Sequence, residues 1–99
     1  MPKIDRAELE RSWAATARHL KAARDLLSGS LRPGVDGASL GGFEECLKQH
    51  EMQLALDELE DVGLSNAPAG EFWRHLQYAA ESMALSDRAA DFKRKADAA

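Results

Sequence analysis

Between Asp5 and Leu27 the hydrophobic-face positions Leu9, Trp13, Thr16, Leu20, Ala23 and Leu27 recur in steps of 4, 3, 4, 3 and 4. Such steps return to one side of a 3.6-residue helix, so the spacing predicts a long amphipathic helix over 5–27. Asp5 and Glu8 mark its start like a capping box, with Asp in place of Ser or Thr. From Ser28 to Gly42 the periodicity lapses, and the stretch holds Pro33 and five of the seven glycines. It offers little side-chain surface to offset the entropy of ordering and is read as a flexible crossover. Periodicity resumes with Leu40, Phe43 and Leu47, then with Met52, Leu56, Leu59 and Val62, and its phase slips near His50. This predicts two helices joined by a tight turn. Gly63 is placed as the left-handed residue ending the second, with Leu64 folding back, and Pro68 as opening the next. Phe72, Leu76, Ala79 and Met83 repeat the helical spacing, as do Leu85, Ala89, Phe92 and Ala96 after a break at Ser86 and Asp87. The expectation is an all-α single domain, 1–99, of five helices: a first helix (5–27), a crossover (28–42) and a helical hairpin core (43–96).

Composition supports that class. The apolar fraction of 44% includes eighteen alanines, whereas Ile4, Val35 and Val62 are the only Ile or Val and Thr16 is the only Thr. Strands would lack the β-branched residues they favour, and 99 residues leave room for one modest core. Cys46 is alone, so no disulfide can form within the chain. No basic start leads into an apolar export segment, and no apolar run nears the roughly 20 residues that span a bilayer. The reading is a cytoplasmic protein that does not enter membranes.

Charge changes the picture more than composition does. The net charge is −4, but residues 44–61 carry Glu44, Glu45, Glu51, Asp57, Glu58, Glu60 and Asp61 against Lys48 alone. The rest of the chain is nearly balanced, so direct nucleic-acid binding, which needs a basic face, is disfavoured. A charge run of this kind is commonly a solvated helix face. Here Asp57, Glu58, Glu60 and Asp61 occupy the expected last turns of a helix ending at Gly63, where the macrodipole disfavours acids. Asp57 and Asp61 also repel at i, i+4. Local rules and sequence conflict there, and such conflicts often mark functional positions. An acidic patch would steer a basic partner and pair with its Arg and Lys side chains.

Other chemistry is sparse. Cys46, His19, His50 and His75 do not form the paired spacing of a structural zinc site, and Cys46 reads better as a small buried hydrophobe. No nucleophile motif or phosphate-cradling loop appears, and His75 with Glu71 is an ordinary surface pair, so no catalytic residue, metal or cofactor is assigned. Trp73, beside the seam residue Phe72, is either an interface anchor or a second aromatic at the core edge.

The run CLKQHEMQLALDELEDVG followed by FWRHLQYAAESMAL resembles the small helical immunity proteins of the MafI type, which belong to polymorphic toxin systems. The similarity covers roughly residues 40–95 and lies on His50, Glu51, Leu54, Ala55, Leu56, Asp57, Glu58, Leu59, Phe72 and Trp73. The long first helix with Trp13 and the glycine-rich crossover depart from the pattern. The resemblance implies a non-enzymatic protein that protects its producer by binding a cognate toxin domain, often a nuclease. Glu51, Asp57, Glu58, Glu60, Asp61 and Trp73 are then the candidate partner-binding residues. Neutralising Asp57, Glu58, Glu60 and Asp61 is expected to weaken binding while leaving the fold as stable or slightly more so. The alternative is a structural or adaptor module that homodimerises or takes a partner helix, with Leu9, Trp13 and Leu20 at the contact.

Overall fold

The computed structural model describes residues 6–27 and 31–99, with side chains from Glu10 onward. Five helices follow in order: α1 Arg6–Asp25, α2 Leu40–Lys48, α3 Met52–Asn66, α4 Gly70–Ser82 and α5 Ser86–Ala98. Among the described residues there is no strand, and the domain is all-α. No helix among these residues is long and apolar enough to cross a membrane. The Asp5–Glu8 capping pair and the side chain of Leu9 lie outside the described residues.

Phe72, Leu76, Ala79 and Ala80 place α4 at the centre of the fold, packed against α1, α3 and α5. Leu20 and Ala23 enter this core from α1, Phe43 from α2, Met52, Ala55, Leu56 and Leu59 from α3, and Ala89, Phe92 and Ala96 from α5. Fully burying each large side chain contributes roughly 1.5–3 kcal/mol, while the alanines let helix axes approach. Between helices the chain reverses at His50, Ala67 and Ala84, whose φ angles are 59°, 44° and 58°. These left-handed residues cost strain at non-glycine positions, and packing on both sides holds them there.

Two local expectations are corrected. Gly63 does not end α3: it is buried within the helix, which continues to Asn66, and Ala67 takes the left-handed position. A Cβ at Gly63 would sit 2.5 Å from the Phe72 ring and 2.9 Å from the Trp73 ring, so this glycine is needed for the approach of α3 to α4. Pro68 likewise precedes the N-cap Ala69 instead of sitting in the first turn of α4.

The glycine-rich stretch is also partly structured. Residues 31–39 run along α3, and α2 starts at Leu40, where the Ser39 hydroxyl accepts from the Gly42 N–H at 3.0 Å. Gly34 and Ala38 close a turn through the Gly34 N–H to Ala38 carbonyl bond at 2.9 Å, and Gly37 turns the chain with φ of 87°. What sequence periodicity misses is that polar side chains of α3 take up the backbone groups of this segment.

Candidate acidic cleft

Asp61 is the centre of the arrangement. Although charged, it is only 9% exposed. Its carboxylate accepts the Asp36 N–H at 3.0 Å and the Ala38 N–H at 3.1 Å. Gly34 lies over it so closely that a Cβ would fall 2.1 Å from Oδ2, which leaves no space for a side chain at that turn. One turn earlier, Glu58 accepts the Ser39 N–H at 3.1 Å. One turn later, Asn66 pairs with Arg32, accepting its N–H at 2.9 Å and donating to its carbonyl at 2.8 Å. Glu58, Asp61 and Asn66 therefore form a stripe that pins the 31–39 segment to α3.

Asp57 and Glu60 point instead toward α5. The Arg88 guanidinium bridges them, reaching Asp57 at 2.5 Å and Glu60 at 2.8 Å, and lies 5.5 Å from the centre of the Phe92 ring. These groups are partly solvated, so each ion pair contributes at most about 1 kcal/mol.

The position of the acids resolves the conflict that singled them out. Because α3 runs on to Asn66, Asp57 to Asp61 lie before its last turn, where the dipole penalty has largely faded. Two of the four acids serve backbone N–H groups of the crossover, and two serve Arg88. The expectation that neutralising all four leaves stability intact is therefore revised: Asp61 and Glu58 are structural acceptors.

The acids still create a negative surface. Asp36, Gly37, Ala38, Asp57, Glu58 and Asp61 line an open cleft of about 240 Å³ between the 31–39 segment and α3. Asp36 joins the cleft from a loop that sequence reasoning left outside the candidate set. Its one available signal was an acid within a glycine-rich turn, which identifies no partner element.

Glu51 sits apart, exposed in the turn before α3, where its side chain makes no capping bond. Trp73 is 7% exposed and takes the core alternative, packing edge-on to Phe72 at 5.0 Å and stacked with Phe92 at 6.2 Å. It is therefore removed from the surface candidates. Cys46 is partly buried against the core, and burial, followed by the charges of Glu51 and Glu58, pushes its thiol pKa up. This opposes formation of a nucleophilic thiolate. His50 stacks on Trp13 at 5.4 Å. Among the described residues no group of three or more His, Cys, Asp or Glu side chains is placed to hold a metal.

A second concavity, of about 550 Å³, lies between α1 and the α2–α3 turn, with Trp13, Ala17, Leu47, His50 and Met52 among its walls. Trp13 is 36% exposed there.

Compared with protein-family models, curated proteins and solved structures, the chain matches none.

Proposed function

We propose that the protein is an immunity-type inhibitor, acting in the cytoplasm, that neutralises a cognate basic, nuclease-like toxin by covering its active surface. The observation that carries this reading is the acid-lined cleft, in which Asp36, Asp57, Glu58 and Asp61 concentrate negative charge beside a backbone segment fixed by two of them. Fixing the segment before binding lowers the ordering cost at association, and clustered carboxylates suit an Arg or Lys side chain. A toxin that cleaves nucleic acid needs such cations to hold phosphate, so an acidic inhibitor can occupy the same surface. Glu51 extends the negative field along the start of α3.

The test is capture of partners by the tagged protein from its own source at low and high salt, followed by nucleic-acid cleavage assays on the recovered polypeptide. The expected result is a basic polypeptide that is released at high salt and whose cleavage activity the protein suppresses. A partner that keeps full activity when bound contradicts the inhibitor reading.

A second reading, an adaptor module that self-associates or binds a partner helix, is favoured by the apolar groove beside Trp13. The contact cannot use Leu20, which is fully buried. Sedimentation of wild type and Trp13→Ala separates the readings: dimers lost in the variant favour the adaptor.

A further inference from the structure

The described side chains of α1 pack on α4 through both apolar and polar contacts. Of its described side chains, Thr16, Leu20 and Ala23 are buried, and among these only Leu20 is a large hydrophobe. Its seam with α4 also carries a row of polar contacts. Thr16 Oγ1 and Ser82 Oγ are in hydrogen-bonding contact, and Ser12 Oγ donates to the Ser82 carbonyl at 3.3 Å. Further along α1, His19 Nδ1 faces His75 Nδ1 at 3.4 Å.

The two imidazole centroids are 5.7 Å apart, so the nitrogens lie close to the line between the rings and point at each other. One ring can donate and the other accept when the pair is neutral or carries a single positive charge. With both rings protonated, two N–H groups oppose each other and no acceptor remains. Tyr78 of α4 packs against both rings, at 5.3 Å from His19 and 6.2 Å from His75.

The electrostatic surroundings act in the same direction. Burial, then His75 and Arg18, hold the pKa of His19 below the ordinary histidine range, and Glu81 of α4 opposes them in part. Among the described residues, no charged group of α2, α3 or α5 is a cause of that shift. A histidine whose folded-state proton affinity is lowered contributes its stability above the unfolded value of about 6.5. That contribution is lost as pH falls below it.

We propose that the His19–His75 contact is an acid-sensitive latch that weakens the docking of α1 on α4 when both rings are protonated. Two unit charges 5.7 Å apart repel enough to shift the docking equilibrium by about threefold with full water screening and about a hundredfold at the effective dielectric of a protein surface, so a partly solvated pair shifts it roughly tenfold. α2 stays packed on α3 and α5 on α4, so α1 is the helix whose docking is most affected.

Hydrogen exchange on the whole chain near pH 7.5 and pH 5, corrected for intrinsic rates, tests this. On acidification, protection of α1 amides should fall roughly tenfold more than that of α3 amides. His75→Gln, uncharged at both pH values, should remove the difference, and His19→Gln provides an independent second variant. His50→Gln should retain it. Equal loss of protection in α1 and α3 of the wild type overturns the proposal, as does an undiminished difference in either latch variant.

Discussion

Replacing Asp61 by alanine removes one carboxylate and leaves the N–H groups of Asp36 and Ala38 without their acceptor. Hydrogen bonds to charged groups contribute about 1.5–3 kcal/mol each. Asp36 is exposed and Ala38 half-buried, so water can recover part of that loss. Relief of the i, i+4 repulsion with Asp57 returns about 0.2–0.5 kcal/mol. The net expectation is a destabilisation of about 2 kcal/mol, a large share of the roughly 5–15 kcal/mol available to a small domain. In urea this lowers the unfolding midpoint by about 1–2 M, for a slope of about 1–2 kcal/mol per molar. The amides of Asp36 and Ala38 should also lose protection selectively. A variant within about 0.5 kcal/mol of wild type, with these amides still protected, would refute the assignment of Asp61 as the anchor of the segment.

Gly63→Ala forces a methyl against Phe72 and Trp73 and should destabilise the protein by about 1–3 kcal/mol, read from thermal or urea unfolding. Arg88→Gln frees Asp57 and Glu60 at a cost of about 1–2 kcal/mol, which added salt should reduce. Because the Cys46 pKa is raised, the thiol should alkylate more slowly than a free cysteine at neutral pH, with the rate climbing only at higher pH. Fast modification at neutral pH would contradict that environment.

The helices were legible because each buries one stripe of apolar residues at helical spacing. The phase slip near His50 located the α2–α3 turn, which the left-handed φ at that residue makes possible. Gly63 was misread because a glycine near the end of a periodic run fits a helix stop as well as a close helix crossing, and only the positions of Phe72 and Trp73 distinguish them. The acids of α3 stood out as a charge run, but the conflict with the helix dipole rested on a helix end at Gly63 and vanishes because α3 continues to Asn66. The partners of these acids did not stand out, since backbone N–H groups of residues 36, 38 and 39 leave no trace in side-chain pattern. Trp73 was ambiguous for a related reason: its neighbour Phe92 comes from α5, 19 positions along the sequence, and encloses the ring from a direction that α4 alone does not reveal.

The most direct test of the acidic-cleft account is the affinity of the captured toxin for wild type and for Asp36→Asn/Asp57→Asn, measured at low and high salt. This pair of changes leaves the Asp61 and Glu58 anchors in place and removes one of the two ion pairs of Arg88, which keeps Glu60. A double variant that stays folded but binds at least tenfold more weakly at low salt, with a shallower salt dependence, is the expected result. Unchanged affinity and salt dependence in that folded variant would contradict the claim that the cleft receives a basic partner.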